Sequence, residues 1–150
     1  MSQSLAKNIL HLIFSTKGRE PFLTTDLRPL LHSYMGAILN QWDSPAILIN
    51  SVADHVHILL CLSKNYALKK VVEEVKKGSS KWIKSKGSDF ATFFWQAGYG
   101  AFSVSQSNIS SVKRYIGNQE THHRGLGFQD EFRAFLKKHG IDYDERYVWD

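Results

Sequence analysis

The sequence predicts an α+β fold: a ferredoxin-like (split βαβ) antiparallel sheet with helices packed mainly on one face, followed by C-terminal helices. Three observations support this. The β-rich runs and helical patterns come in the order β-α-β-β-α-β. The two middle β runs are separated by only a short turn, as an antiparallel pair requires. The chain beyond the sixth element is mostly helical in pattern.

The elements follow in order. Residues 4–16 (SLAKNILHLIFST) form a β-rich run that ends at Lys17-Gly18-Arg19 and reads as a first strand. Thr24 or Thr25 can cap a helix running to about Trp42, with Leu27, Leu30, Leu31, Tyr34, Ile38 and Trp42 at helical spacing. Asp43-Ser44-Pro45 ends it. Runs from Ala46 to Ala53 and from His55 to Leu62, with a turn near Asp54, form the antiparallel pair. Leu68, Val71, Val72, Val75, Trp82 and Ile83 put an apolar stripe on a second helix, whose middle Gly78-Ser79-Ser80 weakens. Residues 93–105 (FFWQAGYGAFSVS) suit one or two bent strands with close backbone approach at Gly98 and Gly100. Ser107 or Asn108 starts a third helix expected to reach about Arg124, broken by Gly125 and Gly127. Phe128 to His139 is a fourth helix, stopped by Gly140, and the tail after it is expected to pack back on the surface.

At 150 residues the chain suits one domain over 1–150, burying about 68–70% of its unfolded surface. With 43% hydrophobic and 13% aromatic residues it has material for a sizeable core, which excludes global disorder. The one cysteine, Cys61, excludes a disulfide framework and a multi-cysteine zinc site, and is read as a small core residue. Polar residues interrupt the first apolar stretch, so neither a signal peptide nor a membrane span is expected. A soluble, cytoplasmic protein is the expectation.

The net charge of +5 is unevenly placed. Residues 1–63 are neutral and residues 87–150 carry −1, whereas residues 64–86 hold eight lysines against Glu73 and Glu74. Such a patch attracts a polyanion, because neutralised phosphates release counterions. A solvated helix face explains the charge equally well on its own.

His55-Val56-His57 is the first chemical signal. Side chains at i and i+2 of a strand share a face about 6.5–7 Å apart, so two imidazoles can converge on one divalent cation while Val56 packs on the other side. Asp54 could orient an imidazole or the turn. By itself such a pattern is more often two half-buried histidines satisfied by nearby carbonyls. Tyr115 and Gln119 stand at i and i+4 on the third helix and share a face. Gln119 offers an amide oxygen as a third ligand, and Tyr115 a hydroxyl that could serve as nucleophile if activated. Taken singly, Tyr115 suits a core aromatic and Gln119 a surface amide. His11 could face the same place or simply pack in its strand. His122 lies one turn further along the Tyr115 face, although exposed helix histidines are commoner.

Joined together, these parts are recognisable. The strand HVH, the helix VKRYIGNQETHHR with its Tyr115 58 residues after His57, FSTKGREPF, ADHVHILL, GSSKWI, FFWQAGYGAFSVS and the ending FQDEFRAFLKKHGIDYDERYVWD resemble the single-tyrosine HUH transposases of small bacterial insertion sequences, including the tyrosine transposases associated with repeated palindromes. The resemblance runs in order over nearly the whole chain. It implies that His55, His57 and Gln119 bind Mg²⁺ or Mn²⁺ and that Tyr115, on the C-terminal helices, attacks a single-stranded DNA phosphate to form a 5′-phosphotyrosine. It further implies hairpin-bearing DNA as substrate, and a homodimer in which the tyrosine helix can be exchanged between subunits. Gly117 inside the motif helix costs about 1 kcal/mol relative to Ala without removing a catalytic group.

Lys69, Lys70, Lys76, Lys77 and Lys81 are the candidate phosphate contacts, and Phe93, Phe94, Trp95 and Tyr99 could stack unpaired bases or fill the core. No phosphate-binding G-x-x-x-x-G-K-[ST] loop is present, consistent with chemistry that needs no nucleotide hydrolysis. Two alternatives share much of the sequence: a domesticated relative that processes chromosomal palindromes, and a noncatalytic single-strand binder that would not need Tyr115.

Overall fold

The computed structural model describes residues 2–122 and 126–150, without the side chain of His122. Its centre is a four-stranded antiparallel sheet of β1 (Ile9–Ser15), β2 (Ala46–Ser51), β3 (His55–Cys61) and β4 (Gly100–Ser103), in the order β2-β3-β1-β4. That is the split βαβ arrangement the element order predicts. The strands are shorter than their apolar runs, since residues 4–8 and the turn residues lie outside the ladders.

Period-2 alternation divides the core in two. On one face Leu10, Leu12 and Phe14 of β1 and Val56, Ile58 and Leu60 of β3 meet α1 (Leu27–Gln41) and α2 (Leu68–Lys84). Gly78 does not break α2. A Cβ there would lie 2.7 Å from Ile38 Cδ1, so the missing side chain lets α1 and α2 approach closely. The adjacent Ser79 is buried, donating to Val75 O at 2.6 Å and accepting from Trp95 Nε1 at 2.9 Å.

The opposite face is covered by α3 (Ile109–Gly117) and α5 (Phe128–Lys138). Ile9 and Leu59 meet Ile116 there, and Ile13 and Phe102 meet Phe128, Phe132 and Leu136. Helices thus cover both faces, with the C-terminal ones on the face that α1 and α2 leave open. Gly100 is required at this contact, since a Cβ would fall 2.6 Å from the Phe132 ring. The tail packs back as expected, with Val148 and Trp149 against the α5 cluster and Asp150 O accepting from Gly98 N at 2.8 Å.

The third helix differs from its sequence pattern. It is not continuous from 107 onward: α3 stops at Gly117, and a four-residue α4 (Gln119–His122) follows. Asn118 leaves the helical region at φ −100°, ψ 23°, and the Ile116 carbonyl is taken by Asn50 Nδ2 of β2 at 2.7 Å. Nothing lies within 4 Å of a Cβ placed at Gly117, so no close contact requires the glycine there. The Arg124 end expected of this helix, with His123 and Gly125, lies outside the described residues. Among those described, no helix is long and apolar enough to cross a membrane.

Candidate metal and tyrosine site

The site is built on the second face, where polar side chains replace part of the core. The β3 alternation that sends Val56 to the α1/α2 face brings His55 and His57 to the other, as the H-x-H pattern predicts. In the antiparallel register Ile13 faces His57, so His11, two residues along β1, is its diagonal neighbour on that face. From α5, Phe128, Phe132 and Leu136 fill the apolar cluster, and Glu131, on the same stripe, is carried into the interior with them.

His11, His55, His57 and Glu131 are all buried; Glu131 is 1% exposed and His55 and His57 are 0%. Glu131 Oε1 lies 3.0 Å from His57 Nε2 and 3.4 Å from His55 Nε2. The Tyr115 hydroxyl donates to Glu131 Oε2, so one carboxylate joins the tyrosine to both imidazoles. His55 Nδ1 donates to Asp54 Oδ1 at 2.7 Å, and His57 Nδ1 is 2.8 Å from His11 Nε2. Each histidine therefore has its inner nitrogen held by a partner and its Nε2 turned toward Glu131. Gln119 is buried with this group. It hydrogen-bonds the Tyr115 side chain, and its Nε2 lies 3.4 Å from the Tyr115 carbonyl. Tyr115 and Gln119 keep their i, i+4 proximity across the helix break.

The electrostatics follow from burial and from Glu131. Burial pushes the Tyr115 hydroxyl well above its usual value, and the Glu131 carboxylate raises it further, while the Gln119 hydrogen bond pulls the other way. The tyrosine is held as a phenol. Burial opposes protonation of His55, but the hydrogen bonds and charges of Asp54 and Glu131 outweigh it and raise its pKa. His11, buried and beside His57, is lowered to about 3 and stays neutral.

His55, His57 and Glu131 form a group that could hold a metal ion, their ligand atoms all lying within 4.8 Å of one another. Ligands about 2.1 Å from one ion at right angles stand about 3.0 Å apart, close to the Glu131–histidine separations. Tyr115 and Glu131 also line a pocket of about 460 Å³ between α3 and α5.

Sequence reasoning named His55, His57, Tyr115 and Gln119, which the fold brings together. It missed Glu131 and left His11 undecided. A signal for Glu131 was present: a carboxylate three residues after Phe128 and one before Phe132 sits inside an apolar stripe, where a charge needs a partner.

The lysines stand elsewhere. Lys69, Lys70, Lys77 and Lys81 are exposed on α2, on the far face of the sheet from Tyr115, and Lys70 pairs with Glu74 at 3.0 Å. Lys76 turns inward: its Nζ donates to the carbonyls of Gln96 (2.9 Å), Ala97 (3.3 Å) and Gly98, and burial lowers its pKa to about 8. It fastens the loop before β4. Of the candidate stacking aromatics, Phe93 and Trp95 are buried in the α1/α2 core, Tyr99 is half-buried against it, and Phe94 is exposed.

The family model described as "Transposase IS200 like" matches residues 4–119. Among solved structures, a Deinococcus radiodurans R1 protein reported as a candidate transposase is 24% identical, with a TM-score of 0.62 over 79% of this chain and 98% of that one. A REP-associated tyrosine transposase, solved bound to a REP hairpin, is 15% identical, with a TM-score of 0.61 over 84% of this chain and 76% of the other. Both show the same fold. No curated protein matches the chain.

Proposed function

Because the chain belongs to the IS200-like transposase family, we propose that it is a metal-dependent transposase that cleaves and rejoins single-stranded DNA at hairpin-bearing ends through a 5′-phosphotyrosine on Tyr115. The observation that carries this reading is the shared carboxylate: Glu131 touches the tyrosine hydroxyl with one oxygen and both HUH imidazoles with the other. A half-buried tyrosine joined to a buried acid and two buried, aligned histidines is a costly arrangement for packing alone.

The donor set fits a divalent cation. His55 Nε2, His57 Nε2 and Glu131 Oε1 would hold it, with the Gln119 amide oxygen as a fourth ligand, while Asp54 and His11 fix the rings from behind. Two imidazoles with a carboxylate suit Mn²⁺ better than Mg²⁺, which favours oxygen. Such an ion supplies charge stabilisation to the phosphate and the departing oxygen.

The chain's own residues account for the rest. Tyr115 Oη attacks the phosphorus, the P–O3′ bond breaks, and the 3′ oxygen leaves with the electron pair. The phenolic proton passes to Glu131 Oε2, which already accepts its hydrogen bond, and Gln119 donates to the developing phenolate. The 5′ phosphate stays on Tyr115, so a 3′ hydroxyl can later reverse the step with no other energy source. In this reading Tyr115 acts with the histidines and Glu131 of its own chain; a homodimer remains part of the proposal through family resemblance. Lys69, Lys70, Lys77 and Lys81 are proposed as sequence-independent phosphate contacts.

Labelled oligonucleotides carrying a hairpin with single-stranded flanks, incubated with the protein and Mn²⁺, test this. Cleavage of the flanked hairpin with a denaturant-resistant protein–DNA adduct, both absent for the same sequence as a perfect duplex, is expected. Binding without adduct formation on any hairpin of a randomised-flank library would favour the noncatalytic reading.

A further inference from the structure

The lysine helix and the tyrosine lie on opposite faces of the sheet, so a DNA strand that touches both must pass an edge or an end of it. One pocket stands on such a route. It measures about 560 Å³, and its walls include Lys17, Arg19, Phe94 and Trp149. Phe94 is 53% exposed, the one phenylalanine among the exposed large hydrophobics of the described residues. Two ammonium groups address its ring: Lys84, the last residue of α2, at 4.0 Å from the centroid, and Lys17, just beyond β1, at 5.8 Å.

The pocket is tied to the chemical site by the backbone. Lys17 N donates to Phe94 O at 2.8 Å, and the preceding Thr16 N donates to Asp54 O at 2.8 Å. Asp54 in turn holds His55. A second connection runs through rings: Arg19 lies 5.9 Å from the Trp149 ring, Trp149 meets Phe128 at 6.3 Å, and Phe128 stands 4.7 Å from the His55 ring. Aromatic faces interleaved with cations are the chemistry that receives unpaired bases and their phosphates, because every base has a π face and a flanking negative charge. A paired base, with its faces covered in the duplex stack, gains nothing from an isolated ring.

We propose that Phe94, with Lys17 and Lys84, forms a stacking subsite for an unpaired base of the DNA strand that leads from the α2 side toward Tyr115. This deepens the proposed function and rests on it. The subsite gives the protein a reason to prefer a hairpin with a single-stranded flank over a blunt one, independently of cleavage.

The test uses two hairpins of identical stem, one blunt and one with a flank carrying 2-aminopurine at successive positions, measured without metal so that binding alone is read. Wild type should bind the flanked hairpin more tightly and quench the probe at one or two adjacent positions. Phe94→Ala should lose about 5–100-fold in affinity for the flanked hairpin, lose that quenching, and bind the blunt hairpin as wild type does. Phe94→Trp should retain both properties, and Lys17→Gln/Lys84→Gln should lessen the salt dependence for the flanked hairpin only. Unchanged flank affinity in Phe94→Ala, or equal losses on both hairpins, would overturn the subsite while leaving the transposase reading intact. Wild-type protein that ignores the flank also overturns it. Failure to bind any hairpin would instead remove the reading on which it rests. The exposed position of Phe94 lets the variants fold, which a melting curve checks.

Discussion

The two faces of the sheet use the same strands for different ends. Toward α1 and α2, Leu10, Leu12, Phe14, Val56, Ile58 and Leu60 make a core of apolar side chains. Toward α3 and α5, the alternate positions of β1 and β3 carry His11, His55 and His57 between Ile9, Ile13 and Leu59, with Glu131 descending from above. One face secures the fold by burial. The other gives up part of that burial for a hydrogen-bonded group whose members hold one another in place. A single residue step along β3 crosses from one to the other, which is why the motif is H-x-H and not H-H.

The comparison can be broken most severely on the site face. His57→Ala should abolish Mn²⁺ binding by calorimetry and adduct formation with it, yet leave a folded protein. His11→Ala, which removes only the partner behind His57, should weaken Mn²⁺ binding by about 10–100-fold. Undiminished binding in both variants would show that the histidines are only packed together. Mixing Tyr115→Phe with His55→Ala protein should restore no cleavage, because Tyr115 meets the histidines of its own chain. Recovery in the mixture would establish helix exchange between subunits.

The α1/α2 face should answer in stability instead. Leu12→Ala should cost about 2–5 kcal/mol in denaturant unfolding, while Mn²⁺ affinity per folded molecule is unchanged. Gly100→Ala joins the two behaviours: its Cβ would enter the Phe132 ring beneath α5, costing about 1–3 kcal/mol and displacing the helix that carries Glu131. A lower melting temperature together with weaker metal binding is expected. Loss of one without the other would uncouple α5 packing from the site.

The smallest effect is a pH dependence. His32, on α1, has its pKa lowered by burial and by Arg28 to about 4, and its Nε2 lies 2.7 Å from Ser51 Oγ. An unfolded histidine titrates near 6.5, so between pH 6.5 and 4 the unfolded chain takes up a proton that the native protein refuses, and stability falls as pH drops. His11, lowered to about 3, acts in the same sense. His55 acts oppositely in the metal-free protein: its raised pKa adds stability that is fully present below about 6.5 and fades as pH rises through the folded value. Thermal melts of His32→Gln should show an acid slope smaller by up to one proton; an unchanged slope would remove His32 from this account.

Much of this division was legible in the sequence, because it rests on short-range periodicity. The alternation in HVHILL fixed which histidines share a face, and the turn at Asp54 paired the strands. The Tyr115–Gln119 spacing placed both on one helical surface. What escaped was set by distant partners. The break at Asn118 accompanies a hydrogen bond from Asn50, 66 positions earlier than the Ile116 carbonyl it caps. His11 gains its role from the register between β1 and β3, and Glu131 from the docking of α5 over both strands. Lys76 reads as one lysine among eight until the loop before β4 folds around its ammonium. Charge counts locate a helix, not the direction each side chain takes.

The most direct test of the account is to locate the covalent bond. Wild-type protein incubated with Mn²⁺ and a flanked single-stranded hairpin is digested with protease and nuclease, and its peptides are mapped by mass. The account predicts a phosphonucleotide on the peptide containing Tyr115, absent from Tyr115→Phe protein that still binds the hairpin. An adduct on another residue, or one that persists in Tyr115→Phe, would contradict it.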